Sequence, residues 1–197
     1  DPAMMYPCRD MEQLCYKEML ADNTVKKMPR KEDMVLDAAN ICRLGKDWVY
    51  LESDSGNTKA YEWLCEQYPS INIEKVNFYA GVHIDSTIVP LRQGLAICNK
   101  PRVKSKRYLP PCMKDWEIIW VEDVTAQVFY QYPYASKWIG LNMLSINKDT
   151  VIVDTAQLEL STVLEKKGFT VIPHTLRHSR TLGGGHHCVT LDTWREN

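Results

Sequence analysis

The sequence predicts an α/β domain assembled from a hairpin–helix–strand unit that recurs three times. Turn signals at Gly45-Lys46, Gln93-Gly94 and Asn147-Lys148-Asp149 stand about 50 residues apart, the range of repeated supersecondary units. Apolar runs of strand length flank each turn, and stretches with helical periodicity lie between strands.

In the first unit, NICRLGKDWVYL reads as a hairpin, TKAYEWLCEQ (58–67) as a helix and INIEKVNF as a strand. In the second, STIVPLRQGLAIC gives another hairpin and EIIWV a later strand. In the third, IGLNMLSINKDTVIVD turns back on itself and leads into LELSTVLEKKG, whose Gly168 suits the position after a helix end. FTVIPH completes that unit as a strand, and HCVTLDTW reads as the opening strand of a fourth. A repeat cut after one strand leaves an edge and a core face unpaired, so the expectation is a fragment of a longer protein.

Composition narrows the function classes. With 45% hydrophobic and 25% charged residues, the chain has enough apolar surface for a packed core. The net charge is −1, and the densest basic stretch, Arg102-Val103-Lys104-Ser105-Lys106-Arg107, reads as a solvated loop, so nucleic acid is not the expected partner. There is no apolar stretch of membrane-spanning length, and Asp1-Pro2-Ala3-Met4 does not resemble a signal peptide. The seven cysteines (8, 15, 42, 65, 98, 112 and 188) are odd in number and lack a CxxC pair, which favours a reducing, cytoplasmic setting over a disulfide framework. Cys42 and Cys98 read as core and Cys65 as a helix residue.

Cys188 stands apart, in RTLGGGHHCVTL (180–191). A strand there would place His186 and Cys188 on one face and His187 on the other. Three readings are open: a metal site with His186 and His174 or His178, a structural thiol behind a glycine turn, or a nucleophile. The available ligands fall in no recognised metal spacing, and a nucleophile needs a base from elsewhere in the chain. Two segments could supply one. VLDAAN places Asp37 among apolar residues, as a turn or cap acid or as a buried cation receptor. GVHIDST places His83 and Asp85 two apart, hence on one face of a strand, as a satisfied histidine or as a base beside a carboxylate.

Together, SRTLGGGHHCVTLD (179–192), VHIDSTIVPLRQGL (82–95), VLDAANICRLGKDWVYLESDSGN (35–57) and ASKWIGLNML (135–144) resemble the amidinotransferase family, and the DSGN and HSRTLGGG details are similar to its inosamine-phosphate branch. The resemblance implies a five-module α/β propeller, the pentein fold, built from ββαβ modules. Residues 1–197 would form the C-terminal portion of one such domain, without its N-terminal modules and the guanidinium-binding acid expected there.

It also implies a ping-pong transfer of the amidino group of L-arginine to an acceptor primary amine, with release of L-ornithine and with no cofactor or metal. Cys188 matches the nucleophile, His83 the general acid/base and Asp37 the acid that orients it. Asp85 matches a carboxylate gripping the guanidinium, and Arg102 and Ser136 match positions that hold the donor's carboxylate and backbone polar groups. Gly183 to Gly185, with Gly184 and Gly185 nearest the thiol, bring backbone close to the substrate. The chain departs from the family at His186, where an aromatic such as Phe is expected, and at Ala135, where a Ser is expected. The small segment Ala80-Gly81-Val82 ahead of His83, where the glycine-specific enzyme is expected to carry bulkier residues, suggests an acceptor larger than glycine, such as a secondary-metabolite intermediate. A homodimer is one assembly open to it. The alternatives are a guanidine hydrolase of the arginine deiminase or dimethylargininase type and a non-catalytic binding propeller.

Overall fold

The computed structural model describes residues 18, 21, 33–81, 83–126 and 135–192. Cys8, Cys15, the DPAMMYP start and the last residues of the HCVTLDTW segment lie outside the described residues.

Each unit is a three-stranded sheet with one connectivity. In the first, β1 (Ile41–Leu44) and β2 (Asp47–Leu51) form an antiparallel hairpin, α1 (Thr58–Gln67) crosses over, and β3 (Asn72–Val76) pairs parallel to β2. A parallel neighbour requires such a crossover, since a tight turn can only reverse the chain. The Asn57 side chain caps α1 by accepting from the Ala60 N–H.

The second unit repeats the hairpin with β4 (Ile88–Arg92) and β5 (Leu95–Asn99), and the third with β7 (Leu144–Asn147) and β8 (Thr150–Asp154). Parallel partners β6 (Glu117–Val121) and β9 (Thr170–His174) complete the two sheets. The crossover of the third unit is α3 (Leu158–Lys166), ended by Gly168 at φ +85°, a left-handed conformation that glycine adopts without a Cβ clash.

The second crossover departs from the repeat. Instead of a full helix it holds a single turn, α2 (Lys100–Val103), and two 3-10 turns, Lys106–Tyr108 and Pro111–Met113. Pro110 and Pro111 lack the N–H that a helix interior requires.

The sheets pack face to face, and β5 lies between two cores. Ala96 and Cys98 face the first unit, against Cys42, Leu44, Val49 and Leu51. Leu95 and Ile97 face the third, against Leu141, Val151, Val153, Leu160 and Leu164. Successive side chains of a strand point to opposite faces, so a strand buried along its whole length serves both cores. Burying each Leu or Ile contributes about 1.5–3 kcal/mol. Cys42 and Cys98 are core thiols whose pKa values burial pushes up to about 12, and Cys65 sits half-buried on α1.

Two local expectations are corrected. His83 and Asp85 are not on a strand: residues 84–87 form a bend and turn, and β4 begins at Ile88. The HHCV stretch is not a strand either. After a one-turn helix, α4 (Ser179–Leu182), residues 186–189 form successive turns, which glycine-rich backbone favours over an extended strand. Among the described residues, no helix is long and apolar enough to cross a membrane.

Candidate active site

Three chain segments meet around Asp85 and His83. The first is the turn ahead of β1. Asp37 caps the 3-10 turn Ala38–Asn40, its Oδ1 accepting from the Ala39 N–H at 3.2 Å, while Oδ2 lies 3.0 Å from His83 Nε2. Asp37 is thus a cap residue through Oδ1 and a partner of His83 through Oδ2. Buried Asn40 fixes this turn by donating to the Leu51 carbonyl and Ser53 Oγ and accepting from Ser55 Oγ. Inserted among apolar neighbours in AANIC, that polar residue was the available signal for a buried network.

The second segment is the His83–Thr87 turn. The Ile84 N–H donates to Ala39 O at 3.0 Å, tying this turn to the Asp37 cap, and Tyr79 Oη donates to the His83 carbonyl. The hydrogen bond that His83 donates to Asp37 raises the His83 pKa, against the opposing cost of burial. The imidazole is thereby biased toward the cation while remaining half-buried.

The third segment is the glycine loop. Cys188 Sγ donates to Asp85 Oδ2 at 3.2 Å, and His187 Nδ1 lies 3.0 Å from the same oxygen. Burial works to raise the Asp85 pKa, but hydrogen bonding and charge from His187 outweigh it and hold the carboxyl below its usual range. Burial and the Asp85 charge push the Cys188 thiol the other way, up to about 11. At neutral pH the resting pair is a thiol and a carboxylate.

His186 turns away from Cys188. It is buried and meets His174 Nδ1 through its Nε2 at 3.1 Å, with the rings edge to face, and burial lowers its pKa. The turns of the loop thus put His187, not His186, beside Cys188, reversing the sides that a strand would have given. Among the described residues, no cluster of three or more His, Cys, Asp or Glu side chains is arranged to hold a metal ion.

The remaining predicted residues divide. Gly185 lies against Asn142, where a Cβ would come within 2.6 Å of the Asn142 side chain, and a Cβ on Gly184 would lie 3.2 Å from Cys188 Cβ. Backbone approach is a packing need at both. Arg102 is half-buried and points into a nest of hydroxyls: its Nη1 donates to Thr87 Oγ1 at 2.8 Å, Ser86 Oγ at 3.1 Å and Tyr79 Oη at 3.2 Å. Its guanidinium also stacks over the Tyr79 ring at 4.3 Å. Ser136 is exposed, starting the 3-10 turn Lys137–Leu141 without a side-chain cap bond. The space beside Gly81 is filled by the Tyr79 ring, so the small residue there accommodates Tyr79.

No family model matches the chain. Inosamine-phosphate amidinotransferase 1 of Streptomyces griseus is 44% identical over 169 residues, which are 83% of this chain and 48% of that protein. The solved structure of the inosamine-phosphate amidinotransferase of Streptomyces griseus superposes with a TM-score of 0.88 at 36% identity, covering 98% of this chain and 63% of that one. An amidinotransferase of the saxitoxin biosynthetic pathway, from Microseira wollei, superposes with a TM-score of 0.84 at 25% identity, over 97% of this chain and 64% of that one. The same fold extends to a DDAH from Pseudomonas aeruginosa, with a TM-score of 0.68 at 15% identity, over 93% of this chain and 66% of that one. The chain spans about half the length of the curated relative it matches. Over that span, with a Cys188–Asp85 pair and a His83–Asp37 pair held in the loops of a pentein fold, the chain belongs to the amidinotransferase family.

Proposed function

We propose that the chain is the C-terminal, nucleophile-bearing portion of an amidinotransferase that carries the amidino group of L-arginine on Cys188. The observation that carries the reading is the 3.2 Å contact between Cys188 Sγ and the Asp85 carboxylate. A guanidinium bound to Asp85 in a bidentate pair would hold its central carbon within reach of the sulfur. It would also set a cation against the carboxylate beside the thiol, lowering the thiol's pKa when substrate is present.

The reaction then follows from the groups at hand. With the cation seated, the Cys188 thiol releases its proton to solvent, the sulfur forms a bond to the guanidinium carbon, and the bond from that carbon to the donor's side-chain nitrogen breaks. His83, biased toward its cation by Asp37, supplies the proton that lets ornithine leave as a neutral amine. In the second half, an acceptor primary amine gives a proton back to His83 and bonds to the amidino carbon, and the carbon–sulfur bond breaks. Arg102 is proposed to hold the donor's α-carboxylate, and Ser136 its backbone polar groups. The acceptor is proposed to be an amine larger than glycine, on the strength of the inosamine-phosphate and saxitoxin-pathway relatives. The protein is proposed to work in the cytoplasm without a cofactor, with arginine and the acceptor as its partners.

The test is intact-mass spectrometry of the full-length protein after incubation with arginine and no acceptor. The expected result is one amidino group added at Cys188, ornithine released, and no adduct in Cys188→Ala. Citrulline and ammonia in place of ornithine would assign the site to a hydrolase instead.

A further inference from the structure

We infer that Asn142 is the positioning residue of the nucleophile: its amide oxygen fixes the Cys188 backbone, and its amide nitrogen is a donor held ready for the cysteine sulfur once that sulfur has lost its proton. The inference rests on Cys188 being the reacting group, as proposed above, and concerns how the fold presents it.

Asn142 closes the 3-10 turn Lys137–Leu141 just ahead of β7, and its own N–H donates to Ile139 O at 3.0 Å. It is 1% exposed, in the otherwise apolar stretch LNML. A buried asparagine carries two donors and an acceptor that must be satisfied inside the fold. Its Oδ1 accepts from the Cys188 N–H at 3.1 Å, and its main-chain oxygen accepts from the His187 N–H at 3.3 Å. Two successive amides of the nucleophile loop therefore hang on one residue. Gly185 is packed so closely on the Asn142 side chain that a Cβ there would lie 2.6 Å away, which presses the loop against it.

The amide nitrogen is the unexpected part. Asn142 Nδ2 is buried and makes no well-formed hydrogen bond among the described residues. A buried donor without a well-formed bond is costly, and at rest the Asp85 carboxylate nearby offsets part of that cost. The Asn142 side chain lies close enough to Asp85 and Cys188 to favour the ionised form of each. In the resting pair the thiol proton occupies the Asp85 oxygen and the sulfur needs no donor. When the proton leaves, the thiolate gains from an N–H donor that is already in position and needs no reorganisation.

The experiment is site-resolved alkylation of Cys188 by iodoacetamide across pH 8 to 10, followed by peptide mass spectrometry on the full-length protein without substrate. Asn142→Ala is expected to slow alkylation of Cys188 by about tenfold at each pH, the effect of about one unit in the thiol pKa. Asn142→Ser, which keeps a shorter donor and acceptor, is expected to fall between the two. A merely structural role for Asn142 has the opposite sign, because a loosened loop carries the thiol away from the Asp85 charge that raises its pKa and so speeds the reaction. Unchanged or faster alkylation in both variants would overturn the inference. Because arginine is absent, the result is independent of which reaction Cys188 performs.

Discussion

His187 and Cys188, neighbours in sequence, converge on one oxygen of Asp85, at 3.0 and 3.2 Å. A β-strand would have sent these two side chains to opposite faces. The turn that replaces the strand makes Asp85 Oδ2 a shared acceptor for an imidazole and a thiol.

Asp85→Asn separates reactivity from function. Asp85 is the neighbouring charge that keeps the Cys188 thiol protonated, so removing it lowers the thiol pKa from about 11. Alkylation of Cys188 at pH 8.5 is expected to rise severalfold, while the arginine-derived adduct falls by at least about a hundredfold because the guanidinium has lost its partner. A mass-spectrometric time course with each reagent reads both changes.

Asp37→Asn is expected to shift the His83 titration to lower pH, because the hydrogen bond accepted by Asp37 is the largest contribution holding it up. A raised histidine pKa contributes stability that is full below the unfolded value near 6.5 and lost as pH rises through the folded value. The wild type should therefore lose a small increment of stability above that window, and the variant should not. NMR titration of the His83 ring and urea unfolding at pH 6 and pH 8.5 check the two statements.

His186 carries the opposite sign. Burial lowers its pKa, so the unfolded chain binds the proton more readily, and the stability of neutral His186 is present above about pH 6.5 and lost as pH falls. His186→Phe removes the group that must be charged in acid. It is expected to flatten the dependence of the unfolding midpoint between pH 7 and pH 5, measured by thermal melts.

Gly185→Ala is expected to cost about 1–3 kcal/mol, the range for overpacking a tight contact, because the new methyl meets the Asn142 side chain at 2.6 Å. Urea unfolding measures the loss, and the arginine adduct on Cys188 should slow with it as the loop is pushed off Asn142.

Much of the fold was legible because local chemistry and repetition agreed. The three turns fall where Gly45, Gly94 and Asn147 mark them, and α1 spans Thr58–Gln67 as its pattern predicts. The second crossover was less legible, since its prolines break a helix that the repeat alone suggests. In the site, Asp37, His83, Asp85 and Cys188 could be named from their motifs, but their pairing could not be read from period-two alternation. His83, Asp85 and Cys188 all lie in turns, where the direction of a side chain depends on tertiary contacts such as Ile84 N–H to Ala39 O. Asn142 was hidden for a related reason: an isolated polar residue in an apolar run announces a buried network without saying which atoms it serves.

The strand β5 has a consequence for how the register of the middle sheet is kept. Small side chains, Ala96 and Cys98, face one core, and large ones, Leu95 and Ile97, face the other. Sliding that strand by one residue would exchange the two sets, overfilling the first interface and hollowing the second in a single step. Each core thus proofreads the alignment on behalf of the other, and Arg102, three residues beyond the strand's end at Asn99, inherits its placement from that double check.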